Sequence, residues 1–397
     1  MATHPGSVLR IDTTCETSVR QFVRQTACLF VAILLFTSIV LGQAALPTKF
    51  DDISKRAGEA WSSNQFEEAA HLYRQAVGLK PSWAEGWGYL AASLYELKRY
   101  PEARDAYRRT TVLTPKNGPS WAFTGLCEYE LRDYRHAFDD LAKAEQLGLG
   151  TDLSLQSRVK YRLSLLWITA GQFELGLKEI AWFADQNDPN PDAIQATGLS
   201  VLRMPLFPYE VPADKRDLVM KAGQAGWEMN SHRLEESRKL YDELANAYPT
   251  EPNVHYAYGF LLAFLDQEEA IKQFQKELDL TPSHVPSMVQ AAFLYLKMGQ
   301  LDPSRELAQR AMKLDPKNYA PHNILGRILV EEKKYASGIV ELETAGKLAP
   351  GHPGNHFNLA QAYQRVGRKA DAAREFATFE KLNRVAGRQN ASSAVKP

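Results

Sequence analysis

Proline recurs along most of this 397-residue chain at a nearly constant spacing. The positions are Pro81, Pro115, Pro249, Pro282, Pro316 and Pro350. Pro81 and Pro115, and each neighbouring pair among the last four, are separated by about 34 residues, a period typical of repeats built from two helices. Because proline lacks a backbone N–H and cannot continue a helix, each one ends a structural unit. The period predicts a repeat array, in which stacked copies of one unit share a continuous core.

Each period contains the apolar patterns of two helices. In the first helix, apolar residues recur at i, i+3, i+4 and i+7, as in Trp87, Leu90, Ala91 and Leu94. In the second helix, a small residue is followed four positions later by a large one, as in Ala103 and Tyr107. The small residue lets two helices approach closely, and the large one fills the space between them. One such pair leaves an apolar face uncovered, so the next pair has to cover it.

These features resemble the tetratricopeptide repeat family, in which Trp87, Leu90, Ala103, Tyr107 and Pro115 have counterparts at matching repeat positions. The resemblance covers roughly residues 50 to 386. It implies an all-α fold, an α-solenoid of about nine antiparallel helix pairs that form a right-handed superhelix. It also implies that the first helix of each pair lines the concave side. We expect the repeats to begin near residues 50, 84, 118, 157, 218, 252, 285, 319 and 353.

The repeats are predicted to form two lobes. An N-terminal lobe of about four repeats spans 50–190, and a C-terminal lobe of about five repeats spans 218–386. Between them lies a proline-rich insert, 191–217, where the period is lost. The last segment, 387–397, is polar and aperiodic, so we expect it to be disordered.

The insert supports two interpretations. Its composition is unusual because five prolines lie close together in and just before it: Pro189, Pro191, Pro205, Pro208 and Pro212. Ala193–Met204 is long enough for one extra helix, whereas the segment from Pro205 to Pro212 cannot be helical throughout. The insert is either an irregular connector or a binding loop that presents Phe207 and Tyr209.

The N-terminus has the pattern of an export or anchoring signal. Residues 1–24 form a polar leader with three arginines, and residues 25–46 carry no charge. The uncharged segment is either the core of a cleaved signal peptide or a single transmembrane helix. A positive leader stays in the cytoplasm, which places the repeats outside it. The chain is therefore expected to be periplasmic or secreted, or anchored to the inner membrane by one N-terminal helix.

Charge and motif content argue against catalysis and nucleic-acid binding. Lys plus Arg and Asp plus Glu each number 47, whereas nucleic-acid-binding domains usually carry a basic excess. None of the common hydrolase, phosphate-loop or dinucleotide-binding motifs occurs. His255, His322 and His356 occupy the repeat position of Trp87 and Trp121, which is a packing position. We therefore expect no catalytic residue, no cofactor, no metal and no nucleic-acid partner.

The resemblance also indicates which residues face the concave groove. Aromatic side chains at such positions favour binding, because Tyr and Phe bury a large area at low entropic cost. The predicted groove residues are Tyr89, Tyr95, Phe123, Tyr129, Tyr161, Arg162, Tyr256, Phe260, Phe264, Phe293, Asn323, Arg327 and Arg365. The Lys/Asn clamp with which some family members hold an acidic peptide C-terminus is missing from all nine repeats.

These observations favour a non-catalytic scaffold or adaptor of the cell envelope. It would bind a partner protein or peptide in the groove, and it would contact the membrane through its N-terminal segment if that segment is not cleaved. Two alternatives remain open at this point. One is an accessory subunit of an envelope enzyme or secretion complex. The other is a module in which the groove aromatics bind a glycan or lipid.

Overall fold

The structure is a computed structural model that describes residues 48–394, with side chains as far as Val385. In that range it contains α-helices and two short 3₁₀ turns, and no β-strand. The helices are α1 (Lys49–Ser62), α2 (Phe66–Leu79), α3 (Ala84–Glu96), α4 (Tyr100–Leu113), α5 (Gly118–Glu130), α6 (Tyr134–Leu147), α7 (Leu153–Thr169), α8 (Phe173–Asp185), α9 (Pro191–Val201), α10 (Arg216–Asn230), α11 (Leu234–Ala247), α12 (Val254–Leu262), α13 (Gln267–Leu280), α14 (Val285–Lys297), α15 (Leu301–Leu314), α16 (Tyr319–Glu331), α17 (Tyr335–Leu348), α18 (Pro353–Arg365) and α19 (Lys369–Ala394).

The helices form consecutive pairs, from α1 with α2 to α18 with α19, and α9 is an additional helix between the fourth and fifth pairs. Each second helix packs against its own first helix, and in most pairs also against the first helix of the next pair. First helices of several successive pairs also touch each other, as α14 and α16 do. This arrangement confirms the predicted all-α solenoid.

The turn inside each pair is built on one left-handed residue. Lys98 adopts φ +56°, and Arg99 N–H donates to the carbonyl of Leu94 at 2.9 Å, which closes a Schellman motif. In the described chain the same turn position has positive φ in all pairs but one: Asn64, Lys98, Arg132, Gly171, His232, Gly299, Lys333 and Gly367. The exception is the pair of α12 and α13, whose turn is one residue shorter in the sequence.

Small residues set the distance between the two helices of a pair. A Cβ atom added to Gly326 would lie 2.7 Å from Cγ of Leu342 and 3.0 Å from the carbonyl oxygen of Gly338. In the second pair, Ala91 stands at the place of Gly326 and Ala103 at the place of Gly338, and both are fully buried. The sequence pattern of a small residue followed by a large one therefore indicates a close contact between the two helices of a pair.

In four repeats the fourth residue, Trp87, Trp121, His255 or His356, is hydrogen-bonded to the proline that precedes the repeat. Trp87 Nε1 donates to the Pro81 carbonyl oxygen at 2.9 Å. Histidine makes the same link, because His356 Nε2 lies 2.8 Å from the Pro350 carbonyl oxygen. The imidazole thus replaces the indole as a partner of the backbone. Lys160 occupies the equivalent position in the fourth repeat.

Residue contacts divide the chain into two compact units. Unit 1 consists of residues up to Ala196 together with Pro205–Glu210, and unit 2 consists of Thr197–Met204 and the residues from Val211 onward. The boundary falls inside the insert. The insert contains α9, which overlaps the possible extra helix of Ala193–Met204, and two 3₁₀ turns, at Pro208–Glu210 and Ala213–Lys215.

The structure bears on the predictions for the C-terminal end of the chain but not on those for the N-terminal end. The predicted leader, 1–24, and the predicted signal or transmembrane segment, 25–46, lie outside the described residues. The predicted disordered tail, 387–397, differs from the structure, because α19 extends to Ala394. No proline interrupts this segment before Pro397, so every residue up to Ala394 keeps the backbone N–H that a helix needs.

Unit 1 contains a buried carboxylate with an incomplete set of partners. Glu128 is fully buried, its Oε1 accepts a hydrogen bond from Arg108 Nη2 at 2.5 Å, and its Oε2 has no hydrogen-bond partner. Burial raises the pKa of Glu128, and Arg108 lowers it in part. Burial and the nearby Glu128 carboxylate raise the pKa of Asp140 to about 6.

We expect Asp140→Asn to stabilise the protein at pH 7 and to leave its stability unchanged at pH 4. Because the folded pKa of Asp140 lies above the unfolded value, stability from this group falls as pH rises from about 4 to 6. The gain at pH 7 is limited to about 1 kcal/mol, since the side chain is partly exposed to screening water. Urea unfolding at the two pH values measures it. Asp139→Asn, at the exposed neighbouring residue, is the control, and an equal gain from both variants contradicts the assignment.

Candidate interaction surface

The predicted groove residues of unit 1 are partly exposed. They are Tyr89, Tyr95, Phe123, Tyr129, Tyr161 and Arg162. Tyr89 and Phe123 stack on the rings of Tyr73 and Tyr107, each at 5.2 Å between centroids. These two residues therefore support the core between repeats as well as the surface.

Two arginines one turn apart on α7 contact aromatic rings of earlier repeats. The guanidinium of Arg158 lies 5.0 Å from the Tyr95 ring centroid and donates to the Tyr95 hydroxyl. The guanidinium of Arg162 lies 5.4 Å from the Tyr129 ring centroid and donates to Glu130 at 3.2 Å. Burial raises the pKa of Tyr95 to about 12, so its hydroxyl is neutral at physiological pH. Unit 1 thus combines aromatic rings with fixed cations.

Unit 2 exposes three phenylalanines: Phe260 on α12, Phe264 in the turn that follows α12, and Phe293 on α14. The exposed fractions are 37% for Phe260, 66% for Phe264 and 39% for Phe293. The first two rings meet edge to face at 5.7 Å, and the guanidinium of Arg327 lies 5.7 Å from the Phe293 centroid. Burial lowers the pKa of Arg327, although its ordinary value is high enough to keep it charged. Exposed phenylalanines at matching repeat positions mark a candidate binding face.

Tyr256 does not fit the prediction. Only 8% of this residue is exposed, and its ring contacts His284 at 5.0 Å and Phe274 at 6.0 Å. Arg203, which follows the C-terminal end of α9, covers the ring with its guanidinium at 5.6 Å. Burial and the Arg203 charge lower the pKa of His284 to about 4. The predicted groove residue is therefore part of the core of unit 2.

Asparagines on α16 and α18 form a hydrogen-bonded relay. Asn355 is fully buried, and its Nδ2 donates to the carbonyl oxygens of Ala345 and Ala349 at 3.0 and 3.3 Å. Its Oδ1 must then accept, and it does so from Asn323 Nδ2 at 2.9 Å. Asn323 Oδ1 in turn accepts from Asn358 Nδ2 at 3.0 Å. The buried carbonyls thereby fix the orientation of each surface amide.

The remaining predicted residue, Arg365, is exposed at the end of α18. Sequence reasoning missed Asn355, whose repeat position shows no periodic signal. It also missed the difference in exposure between Phe207 and Tyr209. Phe207 is only 7% exposed, whereas Tyr209 is 63% exposed.

Reactive groups are scarce in residues 48–394. Cys127 is fully buried, and burial raises the pKa of its thiol to about 12, so the thiolate is scarce at neutral pH. Within this range no cluster of three or more His, Cys, Asp or Glu residues could hold a metal ion. Among the same helices, none combines the length and apolar character needed to cross a bilayer.

The geometry defines a solenoid of helix pairs with an aromatic face on its first helices. Residues 55–118 and 285–318 match family models described as tetratricopeptide repeat. The chain therefore carries tetratricopeptide repeats.

Similarity to individual proteins is distant. Human tetratricopeptide repeat protein 7B is 23% identical over 190 residues, which are 44% of this chain and 22% of that protein's length. Among solved structures, MamA 41-end from Desulfovibrio magneticus RS-1 is 22% identical, with a TM-score of 0.38 over 42% of this chain and 96% of that chain. The APC/C hetero-tetramer Cut9-Hcn1 is 12% identical, with a TM-score of 0.40 over 84% of this chain and 87% of that chain.

Proposed function

We propose that this protein is a non-catalytic scaffold that binds a partner protein or an extended peptide on the face formed by its first helices. The observation that carries the proposal is the exposure of Phe260, Phe264 and Phe293. These side chains belong to two neighbouring repeats, and side chains of this size and apolar character are usually buried. Phe260 and Phe293 stand at equivalent repeat positions, 11 residues after Pro249 and Pro282. Large apolar side chains kept at the surface in this way are expected where a partner covers them.

Polar groups on the first helices α16 and α18 of the same unit favour a polypeptide as the partner. Asn323 and Asn358 carry amides whose orientation is fixed, so they can pair with the N–H and C=O groups of a peptide backbone without first losing rotamer freedom. Arg327 adds a cation that suits a carboxylate or an aromatic ring. An extended segment offers all three kinds of partner: apolar side chains, backbone amides and carboxylates.

We expect Phe264→Ser combined with Phe293→Ser to remove the partner and leave the protein folded. Losing two aromatic anchors should weaken binding by about 30-fold for each ring and by more for both together, because each hot-spot ring contributes about 2 kcal/mol. The fold should persist, since Phe264 is 66% exposed. The measurement is proximity labelling with the full-length protein in its native host, compared between the wild type and the double variant.

Val340→Ser is the matched control. Val340 is apolar and 60% exposed, and it lies on α17, a second helix of the same unit. It should change neither the labelled partners nor the melting curve. Identical partners for the wild type and the phenylalanine variant would rule out this face. Retention of a glycan or lipid with no protein partner would instead favour a small-ligand module.

We also propose that the repeats act outside the cytoplasm, as part of the cell envelope. The support is the sequence of residues 1–46, with its arginine-containing leader and uncharged segment. Alkaline phosphatase fused to the C-terminus should be active, because that enzyme needs an oxidising compartment to form its disulfides. Deleting residues 25–46 should abolish that activity, and activity that survives the deletion would contradict the proposal.

A further inference from the structure

Unit 1 repeats one aromatic arrangement in three helix pairs. The last turn of the first helix and the first residue of the second helix each supply a ring, and the two rings meet edge to face. The ring pairs are Trp61–Phe66 at 5.3 Å, Tyr95–Tyr100 at 5.3 Å and Tyr129–Tyr134 at 5.4 Å between centroids. Successive ring pairs are one repeat period apart in the sequence, so the repeat itself builds the same aromatic notch three times.

The third notch already holds a side chain. The ring of Phe207 lies 4.8 Å from Tyr134 and 6.3 Å from Tyr129 between centroids. Tyr209 stacks on Phe207 at 5.5 Å. The backbone N–H of Phe207 donates to the carboxylate of Glu210 at 2.8 Å, which holds the segment in a tight turn. This notch therefore accepts an aromatic residue from a proline-flanked segment, Pro-Leu-Phe-Pro-Tyr-Glu.

The second notch has the same walls and lacks that occupant. Tyr95 and Tyr100 are both partly exposed, and within the described residues no third aromatic ring contacts them. Arg158 covers one face of Tyr95, but this does not exclude a further ring. In the third notch, Arg162 covers Tyr129 in the same way while Phe207 is present.

The first notch is closed. Trp61 is only 5% exposed, and the ring of Tyr89 already lies 6.0 Å from it. Of the three notches, one is thus filled by the core, one by the chain's own segment, and one remains accessible.

We propose that the notch formed by Tyr95 and Tyr100 binds an aromatic side chain from a proline-flanked segment of another protein, in the way that the third notch holds Phe207. The inference rests on the proposed scaffold function, because it gives the partner's chemistry at one subsite. Prolines fix φ in such a segment before binding, so less conformational entropy is lost when it is ordered. The aromatic side chain supplies the apolar area, about 150–250 Å² per ring.

The test uses a labelled synthetic peptide that copies residues 204–212 of this chain, Met-Pro-Leu-Phe-Pro-Tyr-Glu-Val-Pro, titrated into the full-length protein. We expect one site per chain in the wild type, measured by fluorescence anisotropy and calorimetry. Tyr100→Ser should weaken binding at least tenfold, and Tyr100→Phe, which keeps the ring, should bind like the wild type. Changing the phenylalanine of the peptide to alanine should also weaken binding at least tenfold.

The matched control is Tyr335→Ser. Tyr335 is the first residue of α17, as Tyr100 is of α4, but the position that pairs with it holds Val330 instead of an aromatic residue. This variant should bind the peptide normally. If melting curves show that Tyr100→Ser is unfolded, Tyr100→Leu provides the same loss of the aromatic ring.

Phe207→Ala separates the two notches. It empties the third notch, so the peptide should then occupy two sites per chain, and adding Tyr134→Ser should return the number to one. Absence of binding to the wild type overturns the proposal, as does binding that depends on Tyr134 instead of Tyr100, which would mean exchange with the chain's own segment. Failure here leaves the scaffold proposal intact if the labelled partners still depend on Phe264 and Phe293.

Discussion

Replacing Ala103 with tryptophan is expected to destabilise unit 1 by about 3 kcal/mol or more, at the upper end of what overpacking usually costs. Ala103 is fully buried on α4, which packs against α3, where Ala91 is also fully buried. An indole has no space between two helices that pack closely through alanines, so the pair must separate. That separation also disturbs the packing of α4 on the next first helix, α5.

Thermal and urea unfolding of the full-length chain measure the effect. Val112→Trp is the control, because Val112 lies on the same helix and is 73% exposed. It should shift stability by no more than about 0.5 kcal/mol. In a repeat protein, unit 1 can unfold separately, so the expected signature is a new transition at lower temperature. A single unchanged melting curve for Ala103→Trp would show that the repeat register is wrong.

The regular parts of the fold were predictable because their signals are local and repeated. The proline at the end of each repeat, the small residue of the second helix and the apolar stripe of the first helix all act within one repeat unit. The structure accordingly starts five of the nine first helices of its described residues where the period puts them, at Ala84, Gly118, Val285, Tyr319 and Pro353. The other four start between one and four residues away from the predicted position.

The features that were missed depend on contacts outside this period. Phe207 and Tyr134 are far apart in the sequence, and no repeat pattern predicts their contact. Tyr256 occupies a groove position by number, but Arg203, which follows the non-repeated helix α9, covers it. A pattern of repeats assigns positions relative to neighbouring repeats only, so it gives no information where an insert packs against them.

One missed feature did carry a signal. The fourth repeat position pairs with a residue 19 positions later in several repeats. The pairs are Lys160–Glu179, His322–Glu341 and His356–Glu375. A basic residue at the fourth repeat position, followed 19 residues later by a carboxylate, would have predicted a partly buried link between the two helices of a repeat.

In the fourth repeat this link is an ion triad. Lys160 Nζ lies 2.7 Å from Glu179 and also donates to Glu145 of the preceding repeat. The side chains are 23%, 10% and 26% exposed for Lys160, Glu179 and Glu145. Burial alone would lower the pKa of Lys160, but the two carboxylates raise it above its ordinary value. Burial and the neighbouring carboxylate of Glu145 raise the pKa of Glu179.

We therefore expect Lys160→Met to destabilise unit 1 by about 3 kcal/mol at pH 7, because it leaves two partly buried carboxylates close together without a cation. The loss should shrink at pH 5, where protonation relieves their repulsion. Lys160 itself contributes below its unfolded pKa of about 10.4 and loses that contribution only as pH rises through the higher folded value. Urea unfolding at pH 5 and pH 7 distinguishes these contributions.

Two further variants test whether charge or packing is responsible. Combining Lys160→Met with Glu145→Gln and Glu179→Met should recover most of the lost stability, since a buried ion pair can be replaced by neutral residues of similar volume. Lys334→Met is the exposed control. Lys334 pairs with Glu332 at 3.1 Å but is 62% exposed, so its loss should cost less than about 0.5 kcal/mol. A triple variant as unstable as Lys160→Met, with the same deficit at both pH values, would mean that the lysine acts through its aliphatic chain. Recovery in the triple variant would show that the uncompensated carboxylates cause the loss, and that the fourth repeat uses a charge at the position where the third uses the indole of Trp121 and the ninth the imidazole of His356.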